Sequence, residues 1–204
     1  MNDAVIDYWF DFGSPNCWLA HAILPGIAAR TGRELRYRPM LLGGVFKATG
    51  NQSPMQAFGH LPPKLNWMNQ ATTRFVERHG VPYASNPHFP VNTLGLMRGA
   101  IWIRAAQGED VFARYVDSMF RHMWVEPKKM DDETVLAAAL TGSGFDAEAF
   151  AEGIQLADVK SALLDATRAA VDAGVFGAPT CTVGDQLFFG KDDIELMEAW
   201  LLRR

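Results

Sequence analysis

The feature that most constrains the fold is a strand–helix–strand pattern near the start of the chain. Residues 4–12 (AVIDYWFDF) form a nearly continuous apolar run with β-branched and aromatic side chains, which is typical of a strand buried on both faces. Ser14 and Pro15 follow as a helix N-cap and a proline at the first helical position, so they predict a helix start. Residues 34–39 (ELRYRP) alternate between apolar and charged side chains and predict a second strand. Because a helix joins them, the two strands should run parallel as a βαβ unit.

The connecting helix carries its own breaking and stopping signals. Pro25 and Gly26 lie in its middle, where proline removes a backbone donor, so they predict a kink or an interruption. Gly32, just before the second strand, predicts the C-cap.

The middle of the chain is mostly helical in its pattern. Residues 43–66 and 81–92 are rich in Gly, Pro or Asn and predict loops. Elsewhere the spacing of apolar side chains predicts helices at about 67–80, 93–107, 109–124, 131–142, 146–153 and 156–173. We therefore expect residues 43–170 to form an inserted, all-helical domain.

The C-terminal part returns to β-structure. Thr180–Val183 and Gln186–Phe189 predict short strands around the tight-turn pair Gly184-Asp185, and residues 191–202 predict a final helix. The order β-α-β, helical insertion, β-β-α predicts an α/β protein with a thioredoxin-like fold. Its thioredoxin-like domain would consist of residues 1–42 and 171–204.

Charge and composition argue against several classes of protein. The net charge of −4 and the pI near 5.7 are unfavourable for nucleic-acid binding. No apolar run reaches the ~18 residues of a membrane helix, and the five histidines lack metal-ligand spacing. We therefore expect no nucleic-acid partner, no membrane contact and no metal. The first residues lack signal-peptide features, and two cysteines are too few for a disulfide scaffold, which predicts a cytoplasmic protein.

Ser14 is the candidate catalytic residue. It stands where the first cysteine of a C-x-x-C redox motif would stand, and Cys17 occupies the second position. Ser14 is either a plain helix cap or a functional group at the end of a strand and the start of a helix, where ligands and anions bind. His21 lies two turns further along the helix, too far to act as its base, so a serine hydrolase is not favoured. A serine that donates a hydrogen bond to another molecule's thiolate needs no such base.

Pro179 and Cys17 each leave two interpretations open. Pro179 is either an ordinary loop proline or a cis proline that faces the first helix and offers the preceding backbone to a ligand. Cys17 is either a small buried hydrophobic residue or an exposed thiol able to form a mixed disulfide. Cys181 falls in a core strand and is expected to be inert.

Five segments together resemble a known family: FDFGSPNCWLA, KATGNQSP, NPHFPVNTL, MWVE and GVFGAPTCTVGDQLFFGKDD. They are similar to 2-hydroxychromene-2-carboxylate isomerases and kappa-class glutathione transferases, in the DsbA-like branch of the thioredoxin superfamily. The resemblance implies a DsbA/kappa-type fold, glutathione as cofactor and a homodimer.

The resemblance also implies roles for particular residues. Ser14 would hold the glutathione sulfur as a thiolate, and Ala178 and Pro179 would bind the peptide backbone of glutathione. The glutamyl end of glutathione would lie against Phe189, Gly190, Lys191 and Asp192. The substrate would meet Lys47, Asn51, Phe89 and Asn92, whereas Lys64 aligns too loosely to receive a role.

The reaction implied is a glutathione-dependent cis–trans isomerisation of 2-hydroxychromene-2-carboxylate, or a similar aromatic 2-oxo acid, in aromatic degradation. Alternatives are a kappa-type glutathione transferase or peroxidase, a non-catalytic glutathione-binding protein, and a thiol-disulfide oxidoreductase.

Overall fold

Four strands form one mixed sheet in the order β2-β1-β3-β4 in the computed structural model, which describes residues 4–204. Strand β1 (Val5–Phe10) lies parallel to β2 (Glu34–Pro39) and antiparallel to β3 (Thr180–Val183). Strand β4 (Gln186–Phe189) completes the sheet as an antiparallel partner of β3. The predicted βαβ unit and C-terminal hairpin are therefore confirmed. The first three residues of the predicted domain 1–42 lie outside the described part of the chain.

Each predicted helix has a counterpart in the structure, and two further helices lie between residues 42 and 58, where a loop was predicted. The bounds of the helices are α1 (Pro15–Thr31), α2 (Leu42–Thr49), α3 (Pro54–Phe58), α4 (Pro62–His79), α5 (Leu94–Gln107), α6 (Glu109–Trp124), α7 (Glu133–Gly142), α8 (Ala147–Gly153), α9 (Ala157–Asp172) and α10 (Gly190–Leu201). Helices α2 to α9 lie between β2 and β3 in the chain, which gives a thioredoxin-like α/β fold with a helical insertion. The domain boundaries at 42/43 and 170/171 stay predictions.

Helix α1 differs from its prediction at its centre. It continues through Pro25 without interruption. Leu24 and Ile27, on either side of this proline, are both buried in the core, so packing stabilises the helix on both sides of Pro25. The helix ends as predicted, because Gly32 adopts the left-handed conformation with φ of 66°.

The predicted loop at 43–66 is wrong. This segment holds most of α2, all of α3 and the start of α4. Its prolines mark helix starts, since Pro54 follows the N-cap Ser53 and Pro62 opens α4. Ser53 and Gln56 form a reciprocal capping box, a signal that was present in the sequence. The predicted loop at 81–92 is confirmed.

The core continues from the sheet into the insertion. Phe12, just after β1, packs against Phe120 and Tyr115 of α6 with ring centroids 4.8 and 5.9 Å apart. The Trp124 indole donates a hydrogen bond of 2.8 Å to the Phe12 carbonyl. These contacts fix the insertion against the segment that leads to Ser14. Within residues 4–204, no helix combines the length and apolar character that crossing a bilayer requires.

Candidate active site at the start of the first helix

Ser14 lies where the N-terminus of α1 meets the segment before β3. Its Oγ accepts a hydrogen bond from the Cys17 N–H at 3.4 Å, which makes it the N-cap of α1. The same hydroxyl donates to the Ala178 carbonyl at 3.1 Å. The Ala178–Pro179 bond is cis, so the cis interpretation of this proline is the one the structure confirms. The hydroxyl thus joins the two predicted parts of the cofactor site.

The surroundings of Ser14 favour an anion. Helix α1 has 17 residues and no acidic side chain in its first turn, and the Asp11 carboxylate, four residues before the helix, is buried and accepts three hydrogen bonds of its own. N–H groups in the first turn of a helix have no partner within the helix and point towards the space in front of it. A thiolate placed there would meet these groups and compete with the Ala178 carbonyl for the Ser14 proton.

Cys17 is part of the core. Its side chain is fully buried, and burial raises the pKa of its thiol to about 12, although the hydrogen bond with Ser14 acts against the rise. Of the two interpretations left open by the sequence, the structure supports the small buried hydrophobic residue. Cys181 is likewise buried, and its pKa is raised by burial.

The start of α10 adjoins Pro179. Gly190 donates its N–H to the Pro179 carbonyl at 2.9 Å and has a φ of 85°, which favours glycine. Phe189 is 42 % exposed and lies 4.6 Å from the ring of Phe176. It covers Gly177 so closely that a Cβ there would lie 2.7 Å from its ring. An exposed aromatic pair therefore borders the cis proline.

The Lys191 side chain is engaged with neighbouring residues of the protein. It is buried, its Nζ lies 2.6 Å from Asp192 Oδ1, and it stands 5.2 Å from the centre of the Phe75 ring. The ammonium group is therefore already occupied within the protein. The Asp192 side chain is exposed and can face a ligand.

A cleft of about 160 Å³ opens beside Asp192. Its lining residues are Trp67, Ala71, Arg74, Phe75, Arg78 and Asp192. Arg78 is paired with Glu195 at 2.9 Å, whereas Arg74 has no ion-pair partner within residues 4–204. Sequence reasoning missed this cleft, although positions 67, 71, 74, 75 and 78 share one face of α4 by helical spacing. Lys64, which received no role, lies 4.8 Å from the Trp67 ring centre and is therefore beside the cleft.

The predicted substrate-binding residues are partly brought together. The Asn51 side chain donates to the Phe176 carbonyl at 2.7 Å, next to the segment that contains the cis proline. Phe89 is 43 % exposed, and its ring lies 5.9 Å from that of Trp124. Lys47 and Asn92 are exposed. In the described chain neither forms a hydrogen bond with the turn formed by Gly13 and Ser14, here called the Ser14 turn.

Asp11 links these separate segments and was missed by sequence reasoning. It is 1 % exposed, and its carboxylate accepts hydrogen bonds from the backbone of Gly13 and Leu42 and from the hydroxyl of Thr93. The signal available in the sequence was a carboxylate between two aromatic residues, Phe10 and Phe12, at the end of a mostly apolar run.

Comparison with known proteins adds three findings. A model of the DSBA-like thioredoxin domain matches residues 5–201. The 2-hydroxychromene-2-carboxylate isomerase of Sphingobium xenophagum is 30 % identical over 200 residues, which cover 97 % of this chain and 97 % of that protein. Glutathione S-transferase kappa 1 of Rattus norvegicus is 27 % identical over 214 residues, covering 97 % and 90 % respectively.

A solved structure of a 2-hydroxychromene-2-carboxylate isomerase matches the whole architecture. The TM-score is 0.82 at 28 % identity, over 98 % of this chain and 95 % of that chain. The similarity therefore extends over the sheet and the helical insertion together.

Proposed function

Because the chain belongs to the DSBA-like thioredoxin family and to the enzymes of the 2-hydroxychromene-2-carboxylate isomerase family, we propose that it is a glutathione-dependent cis–trans isomerase. Its substrate would be 2-hydroxychromene-2-carboxylate or a similar aromatic 2-oxo acid. The observation that carries the proposal is the Ser14 hydroxyl at the N-terminus of α1, hydrogen-bonded to the Ala178 carbonyl beside Pro179.

The candidate cofactor residues follow one another through a series of contacts from Ser14 to Asp192, in an order that fits glutathione from its thiol to its glutamyl end. Ser14 contacts Ala178, Pro179 follows it, and Gly190 binds the Pro179 carbonyl. Asp192, two residues further on, lines the cleft of α4. If the thiol of glutathione lies near Ser14, its peptide backbone can bind at Ala178, and its glutamyl end can lie near the charged cleft.

The charges of that cleft suit the ammonium and carboxylate groups of a γ-glutamyl residue. The carboxylate of Asp192 is paired with Lys191 but exposed, so its remaining lone pairs can accept from an ammonium group of the ligand. The guanidinium of Arg74, which has no ion-pair partner within residues 4–204, can bind a carboxylate. Arg74 extends the set of cofactor residues beyond those expected from the sequence.

When bound, glutathione supplies a thiol whose reversible addition to a conjugated double bond allows rotation, with release of unchanged glutathione. The protein's part is to hold that thiol deprotonated and in place. The Ser14 hydroxyl would donate to the sulfur, and the N-terminus of α1 would stabilise its negative charge. The exposed rings of Phe89, Phe176 and Phe189 offer apolar surface for an aromatic substrate.

The proposal is tested by measuring isomerisation of 2-hydroxychromene-2-carboxylate with glutathione, without it, and with S-methylglutathione. S-methylglutathione keeps the peptide but has no free thiol. We expect activity only with glutathione. Equal rates under all three conditions would contradict the proposal.

A kappa-type transferase is the second candidate, favoured by the full-length similarity to glutathione S-transferase kappa 1. Conjugation of glutathione to a chloro-nitroarene, with no isomerisation of the chromene, would select it. A thiol-disulfide oxidoreductase is disfavoured, because Ser14 replaces the nucleophile and Cys17 is buried. The homodimer is proposed on family resemblance, and light scattering tests it. The cytoplasmic location is proposed on the low cysteine content.

A further inference from the structure

The buried carboxylate of Asp11 accepts three hydrogen bonds, one of which comes from the Ser14 turn. Its Oδ1 accepts from the Gly13 N–H at 2.8 Å and from the Thr93 hydroxyl at 2.7 Å, and its Oδ2 accepts from the Leu42 N–H at 2.8 Å. Three donors directed at one carboxyl are the pattern of an ionised group. Burial raises the pKa of this carboxyl, and the three hydrogen bonds act against that rise.

Two of the three donors begin segments that carry predicted site residues. Gly13 directly precedes Ser14, so its bond to Asp11 fixes the turn from which the Ser14 hydroxyl projects. Leu42 is the first residue of α2, whose last turn carries Lys47. The carboxylate therefore holds the start of α2 against the Ser14 turn.

The third donor connects the loop before α5. Thr93 follows Asn92 directly and ends the loop that contains Phe89. Thr93 also lies close to the Ser14 turn, since a Cβ added at Gly13 would be 3.3 Å from Thr93 Cγ2. Although Thr93 is the N-cap of α5, its side chain does not cap the helix. Its hydroxyl donates a hydrogen bond to the Asp11 carboxylate instead.

We propose that Asp11 is a positioning residue for the isomerase, whose carboxylate holds the Ser14 turn in register with α2 and with the loop before α5. This inference rests on the proposed function, because it assigns those two segments to the substrate. It separates two parts of the site: the peptide and glutamyl parts of glutathione would meet Ala178 and α10, which Asp11 does not bind, whereas the glutathione thiol and the substrate would meet segments that Asp11 fixes. Loss of this carboxylate's bonds should therefore affect turnover more than glutathione affinity.

The test compares Thr93→Val with Thr93→Ser. Valine has nearly the shape of threonine but lacks the hydroxyl, whereas serine keeps it. We expect Thr93→Val to lower kcat about ten- to a hundredfold through misplacement of the reacting groups. Thr93→Ser should recover most of this loss, and calorimetry should show unchanged glutathione affinity in both variants.

Asp11→Asn provides the direct test of the carboxylate. Its amide nitrogen would face the Leu42 N–H, or, if rotated, the donors of Gly13 and Thr93, so at least one bond is lost. We expect a larger fall in kcat than in Thr93→Val, and altered NMR shifts of the Gly13 and Leu42 amides. If Asp11→Asn does not fold, the threonine pair still decides the question.

The outcomes separate this inference from the function on which it rests. Isomerisation by Thr93→Val at the wild-type rate, with only a lower melting temperature, would show a purely structural bond and overturn the positioning role. Absence of glutathione-dependent isomerisation in the unaltered protein would instead overturn the proposed function and, with it, this role for Asp11.

Discussion

The hydroxyl of Ser14 lies 3.1 Å from the carbonyl oxygen of Ala178, although 164 positions separate the two residues in the chain. This bond brings the N-terminus of α1 against the cis Ala178–Pro179 peptide. One side chain thereby serves as helix cap and as the donor nearest to the proposed thiol position.

Replacement of Ser14 by alanine should remove most of the activity while preserving the fold. Loss of one preorganised donor to a developing anion typically costs about a hundred- to a thousandfold in kcat. Loss of the cap should lower the free energy of unfolding by about 1 kcal/mol. Steady-state kinetics and urea unfolding measure the two effects.

Ser53→Ala is the matched control for that experiment. Ser53 also precedes a proline and caps a helix, since its side chain accepts from the Gln56 N–H. We expect a loss of cap stability without loss of activity. Comparable inactivation of both variants would mean that Ser14 acts only through the helix start.

Cys17 should be unreactive and dispensable. Because burial raises the pKa of its thiol to about 12, little thiolate exists at neutral pH. A thiol reagent should label the folded protein slowly and the urea-unfolded protein rapidly. Cys17→Ala should retain glutathione-dependent activity, with a stability loss of about 1 kcal/mol for the lost buried volume. Rapid labelling of the folded protein, or inactivation by this substitution, would restore a redox role.

Arg74→Gln should weaken glutathione binding without slowing turnover at saturation. A lost charge-assisted hydrogen bond of about 1.5–3 kcal/mol corresponds to roughly a ten- to hundredfold rise in the glutathione KM. Arg168→Gln is the control, because Arg168 is paired with Asp165 on the exposed surface of α9. An equal effect of both substitutions would indicate general loss of positive charge, and no effect of Arg74→Gln would remove Arg74 from the cofactor site.

His122 should make stability depend on pH. Burial and the nearby charge of Lys128, whose Nζ lies 2.8 Å from His122 Nδ1, lower the pKa of the imidazole below its usual value of about 6.5. The unfolded chain therefore binds the proton first as pH falls. The contribution of His122 to the free energy of unfolding is therefore complete above about pH 6.5. It declines below that pH, until His122 of the folded protein also becomes protonated.

Urea unfolding between neutral and mildly acidic pH measures this dependence. His122→Gln should flatten the decline, whereas His60→Gln, at an exposed position between α3 and α4, should leave it unchanged. A decline that is equally steep in the His122 variant would assign the acid sensitivity to other groups.

The fold was largely predictable because its signals are local. The apolar run of β1, the Ser14-Pro15 helix start and the turn at Gly184-Asp185 each specify an element from adjacent residues. The loop prediction for residues 43–66 fails because proline, as at Pro54 and Pro62, is typical of loops and also of the first position of a helix.

The site was less predictable where it depends on tertiary contacts. Whether Cys17 is exposed depends on the packing of α1 against the sheet. The Arg74 cleft requires α4 to meet the start of α10, and the role of Asp11 requires three segments to converge. Sequence spacing contains none of these distances.

The most direct test is the pKa of the glutathione thiol when bound, measured from the ultraviolet absorbance of its thiolate in the unaltered protein and in Ser14→Ala. The account predicts a pKa below the usual thiol value of about 8.5 in the unaltered protein, and a return towards that value in the variant. A bound thiol whose pKa equals that of free glutathione, or is unaffected by Ser14→Ala, would contradict it.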